Sequence, residues 1–139
     1  MNDIVRVFDA PRERVWRAWT DPDELVRWWG KRGWNAQRDS IVLDVRPGGE
    51  LRIVSVSDDG AEMVNEGVWH EVVEPERLAF GPAGGGPVSV VTFTDLGDGR
   101  TEMHFRTTSD MTGNARAGFE SGLDRLAEML DHDQIRSSQ

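Results

Sequence analysis

Residues 114–134, NARAGFESGLDRLAEMLDHDQ, are written in a single period. At ~100° per residue, Ala115, Gly118, Phe119, Gly122, Leu123, Leu126, Met129 and Leu130 fill one arc, while Arg116, Glu120, Asp124, Glu128 and Asp131 lie outside it. One face of this helix must be covered. At roughly 20 residues it is about 30 Å long, the width of a sheet of several strands, and it is expected to lie across one. Gly118 and Gly122 fall inside the arc, although glycine in a helix costs about 1 kcal/mol relative to alanine. Either backbone packs closely along that edge, or the edge roofs a cavity whose wall is Phe119, Leu123 and Leu126.

The residues before this helix supply the sheet. Between positions 36 and 108, runs of β-branched and aromatic residues alternate with turn signals. SIVLDV leads into RPGG and ELRIVSVS into DDG, so reversals at Pro47-Gly48 and Asp59-Gly60 make hairpins. AEMVNEGVWHEVVEPERLAF reads as a long strand, a break at Pro75 and a shorter strand, followed by the loop GPAGGGP. The glycines of that loop are not followed by Lys and Ser or Thr and lack a βαβ setting, so they imply no phosphate site. VSVVTFTD, the turn LGDG and RTEMHFRTTS complete an antiparallel meander. Val91 and Phe93 share one face of the first strand, as Met103 and Phe105 do of the second. Under a helix that roofs a cavity, these residues are its floor.

At the other end, DIVRVFDA alternates Ile4, Arg6 and Phe8 with Val5 and Val7, which predicts a strand. Pro11 suits a first helical turn, and Val15, Trp16 and Trp19 recur at helical spacing after it. Asp21 can cap a second helix, with Pro22 at its first position and Glu24 placed as in a capping box. This helix is short, and Leu25, Trp28 and Trp29 share a side of it. Gly30 and Gly33 then release the chain into a loop carrying Trp34. Adjacent helix positions are rotated by ~100°, so Trp28 and Trp29 cannot face the core equally. One of them is expected to line a pocket mouth, with Trp34 as a further aromatic beside it.

The chain has 139 residues, the size of a single domain spanning 1–139. It has no cysteine, which removes disulfides, thiolate metal ligands and a thiol nucleophile. The N-terminal residues lack the pattern of a signal peptide and no stretch is apolar enough to span a bilayer, so the expected location is the cytoplasm. With 25 acidic against 16 basic residues and a net charge of −9, phosphate backbones and anionic lipid are repelled; neither nucleic acid nor membrane is an expected partner. His70, His104 and His132 show no two-ligand spacing, and no serine sits in a GxSxG elbow. No metal and no cofactor is expected, and no catalytic residue is assigned. Asn65 and Glu66 lie on opposite faces of one strand; Asn65 is the polar group taken as a ligand contact.

The order strand, two short helices, about six antiparallel strands and a long helix defines an α+β fold. VFDAPRERVWRAWTDPDELVRWWG, VRPGGELRI, EGVWHEVVEPERLAF and GFESGLDRLAEML resemble, in order and over nearly the whole chain, the family named for the activator of the heat-shock-protein-ninety ATPase. That family lies within the START-like (SRPBCC, helix-grip) superfamily, and the resemblance is to its short bacterial members. It implies a curved antiparallel sheet of about six to seven strands wrapped around the C-terminal helix. It also implies an enclosed cavity between sheet and helix that holds a hydrophobic small molecule. The expected function is therefore binding of an apolar ligand without a chemical step, lined by Trp28, Trp29, Trp34, Asn65, Val91, Phe93, Met103, Phe105, Gly118, Phe119, Gly122, Leu123 and Leu126. A cyclase or aromatase acting in that cavity and an interaction module regulating a partner's ATPase are the alternatives. The co-chaperone of the family name carries an additional N-terminal domain, whereas this sequence opens on its first strand. A heat-shock chaperone is not an expected partner; a homodimer is compatible with the sequence.

Overall fold

A computed structural model describes residues 2–30, 33–108 and 114–137, without the side chains of 2, 114, 115 and 134–137. Ala115, placed in the helical arc above, therefore lies outside the described side chains. Strand β1 (Asn2–Phe8) is followed by helices α1 (Arg12–Thr20) and α2 (Pro22–Leu25), then by strands β2 (Trp34–Ala36), β3 (Val42–Leu43), β4 (Glu50–Ser57), β5 (Glu62–Val73), β6 (Arg77–Gly81), β7 (Ser89–Gly97) and β8 (Arg100–Thr107), and finally by α3 (Asn114–Ser137). The strands form one curled antiparallel sheet in the order β1-β8-β7-β6-β5-β4-β2, with β3 paired to β4. This is the helix-grip arrangement that the family resemblance implied.

Register explains the core. Ile4 faces Phe105, Phe105 faces Val91, and Val91 faces Leu78, so one row of apolar side chains crosses four strands on the inner face. All four are buried, while Val5 and Val7, one residue out of phase on β1, are half exposed. Val15, Trp16, Ala18 and Trp19 of α1 and Leu123, Leu126, Met129 and Leu130 of α3 close the same core. Phe119 of α3 stacks on Phe105 with ring centroids 4.5 Å apart, and Arg6 of β1 reaches Asp124 at 2.8 Å. Among the described residues no helix is long and apolar enough to cross a membrane.

Three local features depart from expectation. Trp34 does not ride on a loop but begins β2, paired with Ser57. Helix α2 stops at Leu25, so Trp28 and Trp29 sit in the turns after it; the Trp29 amide still donates to the Leu25 carbonyl at 3.0 Å. Asp21 does cap α2, accepting from the Asp23 amide at 2.9 Å, but the Glu24 carboxylate takes Arg14 and Arg27 instead of completing a capping box. A charge-assisted pair outweighs a backbone amide already able to reach a neighbouring carbonyl; the Asp21 amide donates to the Arg17 carbonyl.

Candidate functional site

The two adjacent tryptophans part company. Trp28 turns inward, is 1% exposed, and its Nε1 donates to the Ala18 carbonyl at 2.9 Å. Trp29, half-buried, turns toward β5, where its Nε1 donates to Asn65 Oδ1 at 3.4 Å. Both rings pack on Trp19, whose centroid stands 5.1 Å from that of Trp28 and 6.3 Å from that of Trp29. The turn that holds them is fastened from behind. Arg125 of α3 donates to the carbonyls of Arg27 at 3.1 Å and Gly30 at 3.3 Å, and Gly30 takes a φ of +95° that suits glycine.

A cavity of about 330 Å³ lies in front of Trp29. Its wall on the helical side is Trp19, Leu25 and Trp29; the sheet supplies Leu51 and Ile53 from β4, Asn65, Glu66 and Trp69 from β5, Phe80 and Gly81 from β6, and Ser89 from β7. Pro82 and Val88, from the loop after β6, complete it. The exposed members, Asn65, Glu66 and Pro82, mark the mouth. The register brings these residues together: Trp69 faces Phe80, Phe80 faces Ser89, and Ile53 faces Asn65. The register of β5 against β6 shifts between Trp69 and Glu71. At Gly67 a side chain would collide with the Gly81 carbonyl, so the close approach requires glycine.

The cavity is aromatic and sparsely polar. Trp69 meets Phe80 edge to face with centroids 5.6 Å apart, and Phe80 lies 6.5 Å from Trp19. The Nε1 atoms of Trp19 and Trp69 are buried and have no acceptor among the described residues. Ser89 Oγ donates to Thr107 Oγ1 at 3.0 Å. His70 stands on the other face of β5, where its ring Nε2 lies 3.1 Å from the Pro82 carbonyl and ties down the loop at the mouth. His104 is on the outer face of β8, 3.7 Å from Asp3, and His132 is exposed. Among the described residues no three His, Asp or Glu side chains are grouped to hold a metal.

Of the residues singled out from sequence, Trp29 and Asn65 meet in this cavity. Val91, Phe93, Met103, Phe105, Leu123 and Leu126 are buried in the core between sheet and α3, Trp28 beside them, and Phe119 packs on that core half-buried. None of them is among the residues lining the cavity, nor is Trp34. Gly122 is buried against the backbone of Trp28 and Gly30, and Gly118, one turn earlier, is half-buried. Sequence reasoning passed over Trp69, Phe80, Leu51 and Ile53 as ligand contacts. ELRIVSVS was read only as a strand of a hairpin, and nothing local distinguishes an inward residue that borders space from one that fills it.

A curled sheet gripping a long helix, with an aromatic cleft between short helices and strands, defines a START-like fold. The chain belongs to the family described as "Activator of Hsp90 ATPase homolog 1-like protein", whose model matches residues 9–132. Among solved structures it is similar to protein NE0264 from Nitrosomonas europaea, with a TM-score of 0.79 at 22% identity over 96% of both chains. It is also similar to protein CV1439 from Chromobacterium violaceum, with a TM-score of 0.77 at 25% identity over 93% of this chain and 96% of that one. The AHSA1-like protein from Aeromonas hydrophila gives 0.76 at 25% identity, covering 96% and 95%. No curated protein matches the sequence.

Proposed function

We propose that this protein binds an apolar, ring-containing small molecule in the cavity beside Trp29. The observation that carries the reading is the cavity's make-up: about 330 Å³ walled by Trp19, Trp29, Trp69, Phe80 and aliphatic side chains, with Asn65 and Glu66 at the mouth and buried Ser89 as the one further polar side chain of the lining. That size lies at the small end of ligand pockets, where apolar walls supply affinity and a few polar groups set orientation. Four aromatic rings around one space also favour a planar guest through offset and edge contacts. The family relationship supports the same reading, since START-like proteins commonly hold hydrophobic ligands.

Native mass spectrometry of freshly purified protein tests it directly, looking for a retained small molecule, together with calorimetric titration of naphthalene into protein stripped of that molecule. Retention, or saturable binding at one site, is the expected result. A protein that retains nothing and binds none of a panel of two-ring and three-ring hydrocarbons does not have this function.

A further inference from the structure

The cavity's polar groups specify more than apolarity. Among the described residues its lining holds no cationic side chain, and its one ionisable member, Glu66, pairs across the strands with Arg52 at 3.8 Å, out of phase with Asn65 and Ile53. An anionic guest would give up its water here without gaining a counter-ion, which is strongly unfavourable, and a cationic one would have to share the Glu66 carboxylate with Arg52. Asn65 is different. The Trp29 indole lies 3.4 Å from its Oδ1, and an indole N–H only donates, so the contact orients the carboxamide with oxygen toward Trp29. The Nδ2 group, with two hydrogens, then has no acceptor among the described residues, while Asn65 itself lines the mouth.

The geometry points to an uncharged aromatic ligand carrying a hydrogen-bond acceptor, its rings among Trp19, Trp29, Trp69 and Phe80 and its acceptor on Asn65 Nδ2. Asn65 is then the specificity-determining residue. This rests on the binding reading above, and it adds that ketones, quinones or lactones are preferred over both bare hydrocarbons and carboxylates of the same ring size.

Calorimetric titration with naphthalene, 2-acetylnaphthalene and 2-naphthoate separates these cases, because the ring system is constant and the polar end varies. The ketone is expected to bind about fivefold tighter than the hydrocarbon, the gain of one neutral hydrogen bond, and the carboxylate weakest of the three. Asn65→Asp keeps an oxygen for Trp29 Nε1 but removes the donor, and Asn65→Leu removes the polar group without adding charge. Both are expected to abolish the ketone's advantage over naphthalene when the two probes are compared in the same variant. Equal binding of ketone and hydrocarbon to the wild type, tightest binding of the carboxylate, or an advantage that survives in both variants overturns the assignment while the cavity remains a binding site. Failure of all three probes to bind overturns this inference; if in addition no molecule is retained and no hydrocarbon of the panel binds, the binding reading falls with it.

Discussion

Gly122 on α3 stands against the main chain of Trp28: a Cβ placed on Gly122 would lie 3.3 Å from the Trp28 carbonyl oxygen and 3.5 Å from that of Gly30. The space that glycine leaves on the helix is occupied by backbone, and it lets the turn carrying both tryptophans dock on α3. Arg125, three residues along the same helix, holds that turn by its carbonyls.

Substitution at Gly122 reads out this contact. Gly122→Ala regains about 1 kcal/mol of helix propensity against a neighbour that must yield by a few tenths of an ångström, so its stability is expected near wild type. Gly122→Leu overpacks the docking site and is expected to cost ~1–3 kcal/mol. Urea denaturation of both variants checks the pair; a Leu variant as stable as wild type would mean that the helix faces open space here.

The two tryptophans are expected to separate by phenotype. Trp28→Phe strands the Ala18 carbonyl in the core and is expected to lose ~1–3 kcal/mol of stability. Trp29→Phe gives up a long, partly exposed bond to Asn65 and is expected to lose less than ~1 kcal/mol, while changing the affinity for apolar probes. Thermal melts and probe titrations of each variant check the division.

Filling the cavity is expected to behave unlike filling the core. Leu51 borders the cavity, whereas Met103 is fully buried beneath α3. Leu51→Trp is expected to weaken naphthalene binding roughly tenfold or more, equivalent to ~1.4 kcal/mol, with little change in the melting temperature. Met103→Trp is expected to destabilise by ~1–3 kcal/mol. The reverse pattern would place the ligand under α3.

Asp133 makes stability depend on acid. Hydrogen bonds from Arg27, joined by Arg14, hold its carboxylate down to about 2, where burial alone would raise it. A carboxyl group depressed in the folded state contributes stability that is complete above its unfolded value of ~3.9. That contribution is lost as the pH falls through about 2. Asp133→Asn is therefore expected to melt earlier than wild type at neutral pH, by roughly 1 kcal/mol for a solvent-screened network. The two melting curves should converge below about pH 2; a gap that stays constant from pH 7 to pH 2 would show that the charge on Asp133 is not what stabilises.

The amino-acid sequence by itself determined the elements and their inward faces. A strand repeats every two residues and a helix every 3.6, so Ile4 and Phe8, Val91 and Phe93, and the arc from Phe119 to Leu130 disclose their buried side without knowledge of partners. Short-range capping and turn chemistry disclosed Asp21 and the Asp59-Gly60 reversal in the same way. Glu24 was misread because Arg14 of α1 reaches it only when α1 and α2 pack together, and Asp133, which shares Arg14 and Arg27 with it, arrives only with α3. The cavity belongs entirely to that level. Trp19, Leu51, Trp69 and Phe80 each carry the local pattern of a core residue, and whether such a residue fills space or borders it depends on how far side chains from distant segments reach toward one another. The close approach of β5 to β6 at Gly67 and the docking of the Trp28–Trp29 turn on Gly122 bear on that distance, and both are contacts between distant segments that no periodicity records.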